Sequence, residues 1–373
     1  MDAWFAWALR LNQVGFSNFY SDQIWTNYTP GFLYVLYFLG ALKNLLHLSD
    51  PALYLLIKIP SVLAEVLMGI LVYIKLSEKS VKWGTMAILA ILLNPVFIFN
   101  SSIWGQIDGL LTLLILLSIY FLDQNKLVLS SIFLGLAFLV KPQSIAVLPI
   151  FILYLIKHLS SKNIFKLIFP AFLTIFSLSL PFFINQPLTG LVQLFSKMVS
   201  DYSYTSLNAY NFWGGVGFWI NDNQTWQVLT YQRWGQIMLI IYWGILSYQY
   251  LKGKLSVYSA AALATLAFFF LPTRVHERYL YPGLVFLIII ASQFKSRLII
   301  LLAVILNILH FFNLYYVYVY YNEIYLKLPK LLYIQSIYNL LDNKAKFLSL
   351  ISTIMFALVS IIIIKTNAHF KKN

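Results

Sequence analysis

Long apolar runs separated by short polar loops make up most of this sequence. Each run is long enough, or nearly long enough, to cross a bilayer as a helix, which takes roughly 20 apolar residues. The pattern predicts an all-α fold, a polytopic transmembrane helical bundle of about eleven spans. The predicted spans are residues 52–75, 84–100, 107–122, 127–140, 143–157, 164–184, 235–251, 255–272, 279–294, 298–320 and 346–365.

Three longer segments, residues 1–51, 185–234 and 321–345, are polar and rich in Tyr, Trp and Phe. Aromatic side chains concentrate at the membrane interface. We therefore interpret residues 31–47, which include Lys43, as an interfacial helix rather than a span.

The predicted domain organisation is an external segment, residues 1–51, followed by a single transmembrane domain, residues 52–373. Residues 185–234 and 321–345 are its external loops. Because Met1 is followed at once by Asp2 and a Trp-rich stretch, we expect a further helix upstream of this sequence. A short translocated amino terminus is the alternative.

Charge alternates between the two sets of loops. One set holds 14 of the 26 Lys and Arg residues but only Glu78 and Asp123 among the 12 acidic residues. Basic residues accumulate in short cytoplasmic loops. The pattern predicts an integral, multi-pass protein of the plasma membrane whose three polar segments face the extracytoplasmic side.

The composition excludes several classes of function. At 61% hydrophobic residues and a mean hydropathy of +0.78, the chain has no room for an additional soluble domain. The net charge of +14 is explained by basic cytoplasmic loops, so we expect no nucleic-acid partner. Cysteine is absent, which excludes a cysteine nucleophile or cysteine metal ligands.

Polar residues cluster on the predicted external side of the bundle. Ionisable residues at membrane depth are costly unless they are paired or functional, so this convergence predicts a site. The clusters are residues 2–7 (DAWFAW), 28–34 (YTPGFLY), 104–108 (WGQID), 141–143 (KPQ), 208–213 (NAYNFW) and 274–279 (RVHERY).

Three of these motifs, Trp-Gly-Gln-x-Asp at 104–108, Lys-Pro-Gln at 141–143 and His-Glu-Arg-Tyr at 276–279, carry a family resemblance. In this order they resemble the GT-C superfamily of polyprenyl-phosphate-sugar-dependent glycosyltransferases. Within the superfamily they resemble, in particular, bacterial mannosyltransferases related to the enzyme that adds mannose to GPI anchors. The resemblance spans most of the chain. It implies transfer of a mannose-like hexose from a polyprenyl-phosphate donor to a glycan, lipid or protein acceptor at the membrane.

The resemblance also implies a role for Asp2, and the position of Asp108 at the external end of a predicted span makes it a second candidate acid. Members of the superfamily carry a catalytic acid in the first external loop, followed by a Tyr-Pro-Pro-like stretch. Asp2 and Tyr28-Thr29-Pro30 match these positions, with Thr29 in place of the first proline. Asp2 is then the general base that accepts the acceptor's hydroxyl proton. Asp108 is a second catalytic acid, which could orient the acceptor or hold a divalent ion, although no cofactor is expected.

A departing phosphate needs no proton donor, but it needs cationic and hydrogen-bonding partners in a water-poor site. The candidate donor-phosphate ligands are Lys141, Arg274, His276 and Arg278. The candidate supporting residues are Tyr28, Gln106, Gln143 and Glu277.

Each part of this site has a purely structural alternative. Asp108 could cap the helix that begins near Gly109. Residues 276–278 could form an interfacial salt-bridge cluster that contributes little. Lys141 could extend from the end of a short helix toward the membrane surface.

Other functions predict different patterns. A transporter or lipid-linked sugar flippase, the main alternative, would show paired repeats with broken helices and polar residues at the membrane midplane. An oligosaccharide polymerase or ligase would be expected to carry an arginine-rich external loop, whereas residues 185–234 contain only Lys197 and Arg233. A structural scaffold explains the spans but not the grouped acids and bases.

Overall fold

The computed structural model describes residues 1–21, 26–187 and 189–370, which are almost entirely helical. The α-helices are α1 (Asp2–Val14), α2 (Pro30–Leu45), α3 (Asp50–Ser77), α4 (Val81–Leu92), α5 (Pro95–Ile98), α6 (Asp108–Asp123), α7 (Leu127–Val140), α8 (Leu148–Lys157), α9 (Ser161–Ser179), α10 (Gly190–Ser200), α11 (Phe212–Val216), α12 (Tyr231–Leu251), α13 (Val257–Phe270), α14 (Tyr281–Phe294), α15 (Arg297–Tyr318) and α16 (Gln335–Phe370). The strands are β1 (Ser206–Leu207), β2 (Thr225–Trp226), β3 (Leu229–Thr230) and β4 (Val275–His276). Short 3₁₀ turns occupy Pro142–Val147, Leu180–Phe182 and Glu277–Leu280, and π-helical segments occupy Phe99–Ile103 and Val319–Tyr325.

The prediction of an all-α membrane helical bundle is confirmed. Each predicted span contains a helix. Within the described ranges, five helical stretches are long and apolar enough to cross a membrane: Asp50–Ser77, Val81–Ile103, Ser161–Phe182, Arg297–Tyr325 and Gln335–Asn367. The other predicted spans coincide with shorter or less apolar helices. The 14-residue α7 is an example; at 1.5 Å per residue it is about 21 Å long, less than a hydrocarbon core of about 30 Å.

The chain divides into two compact units. The first comprises Met1–Met68 and Ser101–Asp201. Its centre is the hairpin of α6 and α7, where Ser118 and Ser130 each donate a hydroxyl hydrogen bond to the other's backbone carbonyl, at 2.8 and 2.7 Å. Such bonds hold apolar helices together where burial alone cannot. The antiparallel hairpin brings the start of α6 and the end of α7 to the same end of the unit.

The amino-terminal helix α1 also packs in the first unit, against α2. It buries Trp4, Trp7, Ala8 and Leu11, whose spacing of three and four residues forms one helical face. The predicted interfacial segment 31–47 corresponds to α2, so its helical character is confirmed.

The second unit comprises Gly69–Asn100 and Tyr202–Asn373. Helices α13 and α14 form its interior, because nearly every residue of both is buried. A helix that is apolar on all sides belongs inside a bundle. The predicted external loop 185–234 contains α10, α11, β1, β2, β3 and the start of α12. The predicted loop 321–345 overlaps a π-helical segment and the start of α16.

Candidate active site

A buried ion pair joins two of the sequence motifs. The Nζ of Lys141 donates a 2.7 Å hydrogen bond to Oδ1 of Asp108. Asp108 is 1% exposed and Lys141 is 2% exposed. Lys141 therefore does not extend to the membrane surface, and the N-cap of α6 is Ile107 rather than Asp108.

The position of this pair follows from local sequence. Asp108 is the first residue of α6, where a carboxylate is favoured by the helix dipole. Lys141 leaves α7 in extended backbone, with φ −155° and ψ 132°, because the following Pro142 disfavours helix at the residue before it. The α6–α7 hairpin then brings the two side chains together.

The pair lies beneath Tyr28. The Lys141 ammonium is 5.7 Å from the centre of the Tyr28 ring, within the range of a cation–π interaction. Tyr28 also packs edge-on against Trp4, at 4.5 Å between ring centres. Gly31 allows α2 to approach the backbone of α7 closely, since a Cβ there would lie 2.5 Å from the carbonyl carbon of Leu139.

Asp2 presents an exposed carboxylate at the start of α1. The Tyr54 hydroxyl from α3 donates a 2.9 Å hydrogen bond to its Oδ1. The neighbouring Met1 side chain lies against Gly105 of the Trp-Gly-Gln-x-Asp motif, where a Cβ would come 2.0 Å from Met1 Sδ. The structure thus brings the amino-terminal segment onto the loop that leads to Asp108.

Polar residues of α3 support this loop. Lys58 donates hydrogen bonds to the carbonyls of Ser102, at 2.7 Å, and Ile103, at 3.3 Å. The Ser101 hydroxyl donates to the buried carboxylate of Glu65. Gln106 is buried and Gln143 is half-buried.

The second unit contains a separate ionic cluster. The Nη1 of Arg278 is 2.8 Å from Oε1 of Glu277, and Nδ1 of His276 is 3.9 Å from Oε2 of the same carboxylate. Glu277 is buried, whereas His276 and Arg278 are half-buried. The His276 ring also meets the ring of Tyr202 edge-on, at 5.0 Å.

Arg274 has a different partner. Its Nε and Nη2 reach both oxygens of Asp222, at 2.8 and 3.0 Å, and the Thr273 hydroxyl donates to the same carboxylate at 2.7 Å. Asp222 is 0% exposed. This bidentate ion pair holds Arg274 at a positive φ of 65°. The next residues form β4, which pairs in parallel with β1.

The Asn208–Trp213 stretch is fixed by the helices of its own unit. The Asn313 side chain accepts a bond from the Tyr210 N–H and donates to the Asn208 carbonyl, at 3.0 and 2.7 Å. The Trp213 ring nitrogen donates to the Leu271 carbonyl at 2.7 Å. Burial raises the pKa of Tyr210 well above its usual range. These contacts give the motif a structural role.

The structure distributes the predicted site residues between the two units. Asp2, Tyr28, Gln106, Asp108, Lys141 and Gln143 belong to the first, and Arg274, His276, Glu277 and Arg278 belong to the second. The prediction that they line one external cavity stays a prediction. Within residues 1–21, 26–187 and 189–370, no group of three or more His, Asp or Glu side chains is placed to hold a metal ion.

The sequence model of glycosyltransferase family 87 matches residues 25–300, well over half of the chain. The chain belongs to glycosyltransferase family 87. It is therefore a membrane glycosyltransferase, which uses a sugar donor and an acceptor. No curated protein matches the chain.

The family 87 match includes Tyr28, Asp108 and Lys141, together with the 274–279 cluster. Asp2 lies outside the matched residues. The matched region thus contains both the buried Asp108–Lys141 pair and the Glu277–Arg278 pair of the candidate site.

Replacing Arg274 with Ala should destabilise the second unit by about 3–5 kcal/mol, because it leaves the fully buried Asp222 carboxylate without its cation. Unfolding of the purified protein by titration with a denaturing detergent measures this change. The double replacement Arg274→Met with Asp222→Leu is the control and should recover most of the loss. A single variant as stable as the parent would mean that the pair is not structural.

Proposed function

We propose that this family 87 glycosyltransferase transfers a mannose-like hexose from a polyprenyl-phosphate donor to a hydroxyl of a glycan, lipid or protein acceptor at the extracytoplasmic face of the plasma membrane. One observation carries the proposal. The first unit combines an exposed carboxylate, Asp2, with a buried carboxylate–ammonium pair, Asp108 and Lys141. Such a combination suits a reaction in which a proton is removed on one side and negative charge develops on the other.

Asp2 is the better placed of the two acids to act as general base. Its carboxylate is exposed and holds one hydrogen bond from Tyr54, so an acceptor hydroxyl can reach it. Asp108 is buried and bonded to Lys141, so its role is to position that ammonium. The acceptor oxygen attacks the anomeric carbon, the bond from that carbon to the phosphate oxygen breaks, and Asp2 takes the hydroxyl proton.

The bonding electrons leave with the phosphate, whose negative charge then needs cations. Lys141 supplies one beneath Tyr28. The sequence-based prediction gives Arg278 and His276, which belong to the second unit, the same role toward the donor phosphate, and Glu277 is bonded to Arg278 within that unit. Gln106 and Gln143 can add amide hydrogen bonds to donor or acceptor. Arg274, with two nitrogens on Asp222, contributes mainly by shaping the loop before this cluster.

The donor proposal rests on sequence chemistry as well. The chain contains no P-loop and no Asp-x-Asp pair for holding a nucleotide sugar through a metal. A lipid-linked donor suits a protein whose aromatic segments lie at the membrane interface, where a carrier's phosphate would rest while its tail stays in lipid. The likeness to GT-C enzymes that use polyprenyl-phosphate sugars agrees with this choice.

Replacing Arg278 with Ala should raise the KM for a polyprenyl-phosphate hexose at least tenfold, because a guanidinium can donate two parallel hydrogen bonds to phosphate oxygens. The experiment compares initial rates of purified variants over a range of donor concentrations. Arg233→Ala removes an exposed guanidinium at the start of α12 and is the matched control. An unchanged KM in Arg278→Ala would remove Arg278 from donor binding.

A further inference from the structure

The first unit contains an open cavity of about 610 Å³ that the roles assigned above leave unused. This volume lies within the range of about 300–1,000 Å³ found for small-molecule sites. Its walls come from the turn after α1 and from the segment between α9 and α10, together with one face of α10.

The lining of the cavity suits a hydroxyl-rich ligand. Gln186, Gln193 and Ser17 place amide and hydroxyl groups around it, and Lys197 adds an ammonium. Amides and hydroxyls both donate and accept hydrogen bonds, as sugar hydroxyls do. A prenyl chain would instead need continuous apolar walls.

The cavity also has an aromatic wall. The rings of Tyr20 and Phe183 are stacked, with 5.1 Å between their centres and 10° between their planes, and both line the cavity. Flat aromatic faces offer large, rigid contact area to the apolar side of a ring. Sugar rings present such a side, with their hydroxyls directed outward toward polar groups.

Tyr20 connects this cavity to the candidate active site. Its hydroxyl donates a 2.7 Å hydrogen bond to the backbone carbonyl of Tyr28, the residue whose ring covers Lys141. Burial raises the pKa of Tyr20 well above its usual range, so the donor proton is retained at all ordinary pH values. A ligand that packs against Tyr20 therefore contacts a residue that is hydrogen-bonded to Tyr28, and the Tyr28 ring lies over the Lys141 ammonium.

From the cavity's polar lining, its stacked Tyr20 and Phe183 rings and the Tyr20–Tyr28 hydrogen bond, we infer that it binds the saccharide part of the acceptor. This inference rests on the proposed function, because an acceptor is needed only if the protein transfers a sugar. It narrows the acceptor class to a glycan or a glycolipid, with its sugar in the cavity and its reacting hydroxyl directed toward the catalytic residues.

The test is saturation-transfer NMR of the full chain in lipid nanodiscs, without donor, using maltose, cellobiose, lactose and mannobiose as probes. At least one disaccharide should show saturation transfer to its ring protons. The double replacement Gln186→Ala with Gln193→Ala should weaken that binding about tenfold, which corresponds to about 1.4 kcal/mol for the two lost side-chain hydrogen bonds together. Both glutamines are exposed, so their loss should leave folding intact.

Gln224→Ala, an exposed glutamine of the second unit, is the matched control and should bind the probe as the parent does. Absence of saturation transfer from all four probes, or equal binding by the parent and the double variant, would overturn the inference. Transfer from a lipid-phosphate donor is measured on the same samples. Hexose transfer without saccharide binding refutes the cavity's role and leaves the proposed function in place. Saccharide binding at the cavity without hexose transfer from the lipid-phosphate donor refutes the proposed function, and leaves the cavity as a saccharide site with no acceptor role.

Discussion

Asp2→Asn is expected to lower the transfer rate by about a hundredfold to ten-thousandfold, the usual effect of losing a general base. The amide keeps the shape of the carboxylate and its Oδ1 can still accept the Tyr54 hydrogen bond, but it cannot take the acceptor's proton. Because Asp2 is exposed, stability should change little. Rates of hexose transfer and denaturant titrations on the same preparations measure the two effects.

Asp201→Asn is the matched control for this variant. Asp201 is an exposed acid that follows α10 in the same unit, and its replacement should leave the rate within a few-fold of the parent. Turnover of Asp2→Asn near the parent rate would take Asp2 out of the mechanism. Asp108 or Glu277 would then be the base to test.

The second large effect concerns the buried pair. Lys141→Ala or Asp108→Ala alone should each destabilise the protein by about 3–5 kcal/mol, because each removes the oppositely charged partner of the other in a site that is almost closed to solvent. The double replacement Asp108→Leu with Lys141→Met should recover most of this stability. Transfer should nevertheless remain lost in the double variant, because it lacks the ammonium that we propose stabilises the departing phosphate.

Measuring both the stability and the transfer activity of these variants distinguishes a structural role of the pair from a role in the reaction. A pair that only stabilises the hairpin would give a double variant that regains both folding and transfer. A pair that serves the reaction would give a folded but inactive double variant. Recovery of transfer to within tenfold of the parent would assign Asp108 and Lys141 to folding alone.

The bounds of a helix can be predicted from the sequence where charged residues or a proline flank the apolar run. Helix α7 has the predicted bounds, 127–140, because Lys126 precedes it and Lys141-Pro142 follows it. The predicted span 84–100 falls within the helical stretch Val81–Ile103, but inside it α4 ends at Leu92 and Asn94 caps the next short helix by accepting a bond from Val96 N–H. Hydropathy does not register this break, although Pro95 indicates it.

Helix α1 is not among the predicted helices, although its sequence contains a helical pattern. Trp4, Trp7, Ala8 and Leu11 have the spacing of one helical face, yet the polar character of the first 51 residues favoured an external segment. The Asp108–Lys141 contact was also within reach of sequence reasoning. An antiparallel hairpin of two helices returns the chain to its starting end, and the two motifs lie at the start of one helix and the end of the next.

Other contacts depend on packing that no local pattern reveals. Asp222 lies in a loop with no feature that distinguishes it, yet it is the buried partner of Arg274, 52 residues away. Tyr54 reaches Asp2 across the same separation. Long-range pairs of this kind arise from how helices are arranged, and a single sequence records only which residues are available for them.

The most direct test of the central claim compares donors with the purified full chain in proteoliposomes. One reaction contains a radiolabelled polyprenyl-phosphate hexose, and a parallel reaction contains the corresponding nucleotide hexose, each with extracted envelope glycolipids as acceptor. We predict that label passes to the glycolipid fraction from the lipid-phosphate donor alone, and that Asp2→Asn removes this signal. Transfer from the nucleotide hexose alone would contradict the account.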